Sequence, residues 1–146
     1  MKLRRAVPAD LSAVYVMLEQ AFEESPVDLP EIAPEKAWQR IRGIIESQFC
    51  LVIEHEGEVA GSIAITAGDL WWSDKPALMD AWFYVRPDYR KTRAAVTLMS
   101  TARDFAREKG LPLILGVSAG GDVERKDAFY KRQHLTAIGG LYVEGM

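Results

Sequence analysis

Residues 82–110 read WFYVRPDYRKTRAAVTLMSTARDFAREKG, and the reading of this stretch decides the fold. Trp82, Phe83, Tyr84 and Val85 form an aromatic, β-branched run of strand length that Pro87 stops. A basic loop follows, with cations at Arg86, Arg90, Lys91 and Arg93. Beyond it Ala95, Val96, Met99, Ala102 and Ala106 recur at helical spacing, with Leu98 and Phe105 widening the stripe. The spacing predicts an amphipathic helix of about four turns. Gly110 and Pro112 end it, with Arg107 and Lys109 in its last turn.

A strand that feeds a tight basic loop into a helix start builds an anion site. The first-turn N–H groups have no partner within the helix, and the aligned peptide dipoles add partial positive charge there. Ala94 and Ala95 are small enough to let a phosphate approach the backbone. These residues fit a pyrophosphate cradle, and in so small a chain coenzyme A suits it better than a dinucleotide. They fit equally a solvated basic helix start that holds nothing.

The length, 146 residues, predicts one domain spanning residues 1–146. Hydrophobic residues make up 49% and charged residues 27%, as in ordinary water-soluble proteins. The net charge of −3 gives no bulk attraction to nucleic acid or to an anionic membrane, so the basic cluster near position 90 is a local feature. A single cysteine, Cys50, excludes an internal disulfide and lies in the apolar run FCLVI, where a packed thiol is expected. His55 and His134 lack metal-ligand spacing, so no metal is expected. The start MKLRRAVPAD has no apolar stretch behind its charges, and no window approaches the roughly 20 apolar residues of a membrane span. A cytoplasmic protein is expected.

Taken in order, residues 2–7 alternate as a short strand, and Pro8 and Asp10 open a helix with Leu11, Val14, Leu18, Ala21 and Phe22 inward. Residues 23–34 form a loop carrying Glu23, Glu24, Asp28 and Glu31. A second helix covers about 34–47, and residues 49–54 and 59–66 make a hairpin around Glu56-Gly57. Ala60, Gly61 and Ala64 in the second of these strands leave room for something bulky to pack close. Trp71 and Trp72 sit in the next loop, and a strand at 77–85 leads into the opening segment. Residues 111–117 read as a wholly apolar strand buried on both faces, 122–132 as a fourth helix, and 135–144 as a final hairpin around Gly139-Gly140. The fold class predicted is α/β: a mixed, mostly antiparallel twisted sheet of about seven strands with helices on both faces.

Three segments carry a resemblance: RRAVPADL at 4–11, FYVRPDYRKTRAA at 83–95 and AFYKRQHL at 128–135. With the element order, they make the chain similar over essentially its whole length to the GNAT superfamily of N-acetyltransferases. Val85, Pro87 and Arg90 match that family's valine-x-proline-x-x-arginine pattern. The resemblance implies an acetyl-CoA-dependent N-acetyltransferase that uses acetyl-CoA as acyl donor. It implies pyrophosphate binding at Arg90, Lys91, Thr92, Arg93, Ala94 and Ala95, and contacts to the pantetheine arm from Phe83, Tyr84 and Val85, with the amide of Phe83 or Tyr84 on the thioester oxygen. Arg93 stands where the family has its first turn glycine, so its guanidinium either joins the phosphates or blocks the approach. Val123 replaces the family's asparagine, and His134-Leu135 its glycine-aromatic pair.

The resemblance makes Tyr130 the general acid. A phenol near pKa 10 stays protonated at neutral pH and can serve a thiolate whose thiol titrates near 8.5. Asp80 could accept the amine proton directly or through water, or be an ordinary strand-edge carboxylate. The acidic loop and Trp71-Trp72 lie where the family places acceptor contacts, and carboxylates beside aromatic rings suit a small cationic amine. Small amines, antibiotics, polyamines, amino acids and protein N-termini all stay open as acceptors. Dimers are frequent in the family, and the C-terminal strands could pair with a second copy. Two rivals remain: a GNAT-like module that binds coenzyme A or a protein without turnover, and a hydrolase built on Gly116-Val117-Ser118-Ala119-Gly120 with Asp127 and His134. The second leaves only the short remainder of the chain for a triad that normally spans several strands.

Overall fold

The structure is a computed structural model, and it describes residues 1–116 and 122–144. Five strands, β1 (Lys2–Arg5), β2 (Phe49–His55), β3 (Glu58–Gly68), β4 (Ala77–Val85) and β5 (Leu113–Ile114), form one sheet in sequence order. The first four are antiparallel neighbours, and β5 pairs parallel with β4. Helices α1 (Leu11–Glu23), α2 (Pro34–Ser47), α3 (Ala94–Lys109) and α4 (Val123–Arg132) complete the fold.

Strand alternation divides the core. Leu51, Ile53, Ile63 and Ile65 point to one face, where they meet Ala94, Leu98, Ala102 and Ala106 of α3. Cys50, Val52 and Ala64 point to the other, against Leu11 and Val14 of α1 and Ile41, Ile44 and Ile45 of α2. The expected helices on both faces are present. Gly61 explains the small residues of β3: a Cβ there would lie 3.0 Å from Tyr84 O and 3.2 Å from Leu98 Cδ1, so its absence lets α3 sit against the sheet. Glu56 and Gly57, both at positive φ, turn the β2–β3 hairpin. Gly110, at φ 66°, closes α3 in the left-handed conformation that glycine adopts without strain.

Two bulges matter more than their size. In the β3–β4 ladder Ala64 faces Trp82 and Ile65 faces Asp80, so Ala81 is an extra residue on β4. Strand periodicity being two, one added residue exchanges the faces of everything beyond it. Leu78 and Phe83 therefore both belong to the α3 face, whereas Trp82 and Tyr84 pack toward α1 and α2. The second bulge lies between Ile53 and Glu54 in the β2–β3 ladder.

The sheet corrects the expected strand count. There are five strands among the described residues, not about seven. Among the described residues the last apolar segment pairs at Leu113 and Ile114 alone, both half-buried on the sheet edge rather than covered on two faces; Val117 of the expected strand lies outside the described residues. Residues 135–144 form no strand, and Leu141 and Tyr142 are 85% and 99% exposed. Ala137, Gly139 and Gly140 give that segment little side chain to pack, and a two-residue edge strand gives it little to pair with.

Candidate active site

Where β5 leaves β4, the sheet opens. β5 pairs with Leu78 and Met79 alone, so residues 80–85 of β4 have no described strand on that side. The Arg86 N–H donates to Ala60 O across the β3 ladder at 2.9 Å. Alternation then turns the amides of Tyr84 and Trp82 toward β3 and those of Phe83 and Val85 toward the open edge. The Val85 carbonyl confirms this register, because Arg90 Nε reaches it from the open side at 2.9 Å. Of the two amides expected to meet a thioester oxygen, Phe83's faces the opening and Tyr84's does not.

The opening is one end of a cavity of about 1000 Å³. Its first limb begins at α3. Thr92 Oγ1 accepts from the Ala94 amide at 3.2 Å, while the Ala95 and Val96 amides bond no described residue. Lys91, Thr92, Ala95 and Val96 line this end. Bare first-turn amides beside a lysine fit a diphosphate, so the residues present suit the group that the sequence pattern implied. Ala94 is buried against the sheet instead, and Arg93 is exposed at the helix start outside the cavity lining.

Arg90 lines the cavity beside Lys91, and it is also held from within the protein. Its guanidinium spans both oxygens of Glu24, at 2.9 and 2.8 Å, and the Tyr84 hydroxyl donates to the same carboxylate. Burial alone would raise the Glu24 carboxyl, but the bonds from Tyr84 and Arg90 and the charge of Arg90 outweigh it and hold the group below the usual carboxylate range. Burial and the Glu24 hydrogen bond push the Tyr84 phenol well above its ordinary value. Arg90 thus ties the end of α1 to the end of β4, and the cradle is built on that strut.

At the far end of β4, the two candidate catalytic side chains meet at one residue. The Gly116 N–H donates to Asp80 Oδ1 at 2.9 Å, and the Tyr130 hydroxyl donates to Gly116 O at 3.0 Å. The Ala81 bulge sets Asp80 and Phe83 on the same face, and the Phe83 ring lies 6.4 Å from that of Tyr130 and 6.3 Å from that of Phe129. α4 is held there by Arg103, which donates to Gln133 O at 2.8 Å beyond the helix end, and by the Asp122 carboxylate, which accepts from the Arg125 amide at the start. Burial drives the Asp80 carboxyl up, only partly offset by its hydrogen bonds. Burial, reinforced by the negative charge of Asp80, drives the Tyr130 phenol up.

The second limb runs between α1 and α2, floored by Trp82. The Trp82 indole donates to Ser62 Oγ at 2.9 Å, and Ser62 donates to Leu51 O, which fixes the ring. This limb was not expected from sequence, although the apolar stripes that line it were. The groups expected to greet the acceptor are elsewhere. Glu23, Asp28 and Glu31 lie off the lining, Glu24 is bound by Arg90, and Trp71 and Trp72 stand 91% and 67% exposed in the β3–β4 loop, stacked edge to face on each other. The basic residues of α4 that do line the cavity, Arg125, Lys126 and Arg132, were missed; only a helical wheel of α4 carried that signal.

Cys50 is buried and its thiol is pushed up to about 11 by burial, as a packed thiol should be. Of the hydrolase elements, residues 117–121, with Ser118, lie outside the described residues; the Asp127 carboxylate is taken by Lys131 at 2.7 Å. No helix among the described residues is long and apolar enough to cross a membrane.

The structure thus sets a parallel strand pair that parts beside a helix start, with a tyrosine and a carboxylate at the fork. The model of the acetyltransferase (GNAT) family matches residues 12–135, and the chain belongs to that family. Its members use acetyl-CoA as acyl donor. A predicted acetyltransferase of Clostridium acetobutylicum, solved with acetyl-CoA, superposes with a TM-score of 0.79 at 12% identity, over 99% of this chain and 95% of that one. A GCN5-related N-acetyltransferase of Ralstonia eutropha JMP134 gives 0.79 at 18% identity, over 98% and 97%. An aminoglycoside acetyltransferase from an uncultured soil metagenomic sample, in complex with trehalose, gives 0.66 at 16% identity, over 99% and 94%. At such identities the likeness is one of fold. No curated protein matches the sequence.

Proposed function

We propose that the chain is one acyltransferase domain, residues 1–146, that moves an acetyl group from acetyl-CoA directly to a primary amine. The observation that carries this reading is the continuous cavity. It runs from the open amides of α3, along the unpaired edge of β4, to the fork where Asp80 and Tyr130 meet.

Lys91 and the Ala95 and Val96 amides would hold the diphosphate, and the open edge at Phe83 and Val85 would align the pantetheine arm. Bound acetyl-CoA supplies the acyl group as a thioester. The Phe83 N–H donates to the carbonyl oxygen, where negative charge develops as the amine nitrogen bonds to the carbonyl carbon. The carbon–sulfur bond breaks as the nitrogen–carbon bond forms. Tyr130 gives the leaving sulfur its proton, which its raised pKa ensures it still carries at neutral pH. Asp80 takes the proton lost by the amine, directly or through water, and its raised pKa makes it a stronger base than a solvated aspartate. Arg90 positions the cradle through Glu24.

Calorimetry with acetyl-CoA, paired with thiol-release assays over a panel of amines, tests the reading. Binding with amine-dependent release is expected. Binding without release for any amine would leave a coenzyme A-binding module, and absence of binding would remove the donor site altogether.

A further inference from the structure

The acceptor limb has a chemistry of its own. Val14, Met17, Leu18 and Ala21 of α1 face it at steps of three, one and three, and Ala37, Ile41 and Ile44 of α2 answer them. The residue that breaks these apolar stripes is Arg40, one position before Ile41. Arg40 makes no hydrogen bond or ion pair with any described residue. Its own helix offers none, since the positions one turn either side are Lys36, Ala37, Gly43 and Ile44, without an acid.

The cavity as a whole has the same sign. Six basic side chains and two acidic ones, Asp80 and Asp88, line it; with Arg90 paired to Glu24 and Arg125 to Asp122, the basic residues still outnumber the acids, and residues 117–121 carry no charge. Those at the α3 and α4 end suit the donor's phosphates. Arg40 stands apart from them, on the α2 wall of the limb that Trp82 floors. A cationic acceptor would meet like charge there, since the two acids of the lining, Asp80 and Asp88, lie on β4 and in the loop before α3. A guanidinium beside an apolar groove takes a carboxylate in a two-pronged bond.

We infer that the acceptor is a small apolar amine that also bears a carboxylate, of the kind an apolar amino acid presents, and that Arg40 binds that carboxylate while the α1–α2 stripes hold the apolar body. This rests on the acyl-transfer reading above and replaces the cationic acceptor expected from the acidic loop.

Matched acceptors test it: leucine against leucinamide and phenylalanine against phenylalaninamide, with spermidine as the cationic comparison, by thiol release. The intact protein is expected to favour each acid over its amide by about tenfold or more in kcat/KM, mostly through KM. Arg40→Ala should bring that ratio near one without moving the KM for acetyl-CoA or the melting temperature, and Arg40→Lys should keep part of it. An acid no better than its amide, a preference that survives Arg40→Ala, or turnover of spermidine alone would each overturn the inference and leave acyl transfer standing. If acetyl-CoA binds but no amine of any charge releases thiol, the transfer reading fails and takes this one with it.

Discussion

Asp80 comes from a strand and Tyr130 from a helix, and the two meet on opposite sides of the Gly116 backbone. That meeting makes their titrations testable. Tyr130→Phe keeps the ring packing on Phe83 and removes the hydroxyl with its bond to Gly116 O, so kcat should fall by about a hundredfold while acetyl-CoA binding holds. Steady-state rates and calorimetry on the same preparation check both halves. Since the phenol is raised, no basic limb from Tyr130 should appear in the rate profile below about pH 10. Asp80 titrates above a solvated aspartate, so the acid limb of kcat/KM should lie above about pH 4 and vanish in Asp80→Asn. Its contribution to stability has the opposite sense to a salt-bridged acid. With the folded pKa raised, the contribution is full below the unfolded value and lost as pH rises through the folded one. Asp80→Asn should therefore gain more in melting temperature at pH 7 than at pH 4.

Among the elements, α3 and its loop show how far the residues could be read. Period and stop signals locate the helix, and Pro87 and Gly110 bracket it. What the pattern could not show is that Arg90 faces Glu24, because that carboxylate lies in the turn after α1 and no spacing links the two. Nor could it show that Arg93 lies off the cavity lining, since that depends on how the chain enters the first turn. The strut makes a distinct prediction. Glu24→Ala and Arg90→Ala should each cost about 3 kcal/mol of unfolding free energy, because either leaves a part-buried charge without its partner. Both should weaken acetyl-CoA binding, Glu24→Ala included, although it removes no positive charge; denaturant unfolding and calorimetry measure the two effects. If only Arg90→Ala weakens binding, Arg90 contacts phosphate itself. Gly61→Val should act at the same scale: the added methyls would press on Leu98 and Tyr84 O, lift α3 from the sheet and lower the melting temperature.

At the scale of the molecule, the hairpins and helices on both faces were legible because alternation and helical period are strong over long segments. The C-terminal part was not. An apolar run reads the same whether a sheet covers it or leaves it at an edge, and the two-residue β5 shows the second case. The first segments are locked more firmly. Arg4 donates to both oxygens of the buried Asp10 carboxylate, at 2.7 and 2.9 Å, and to Glu54 on β2, which pins the chain before α1 to the sheet. The hydrogen bonds from Arg4 hold the Asp10 carboxyl below the ordinary range despite burial. That stability is present above the unfolded pKa and lost as pH falls through the folded one. Asp10→Asn should flatten the fall in stability below about pH 4 and cost about 3 kcal/mol at neutral pH, as pH-resolved urea titrations would show.

The extra residue at Ala81 has a bearing on how variants of this protein should be surveyed. The position is exposed on the cavity lining, so exchanges for other small residues would score it as tolerant. What it provides is its place in the count. Shortening β4 by that one residue would close the bulge and leave each side chain opposite the same β3 partner, Trp82 on Ala64 and Phe83 on Ile63, so the faces would hold while the strand lost its local bend. A survey limited to exchanges would pass over the residue that bends β4 at the site; a survey that includes deletions would report what that bend contributes.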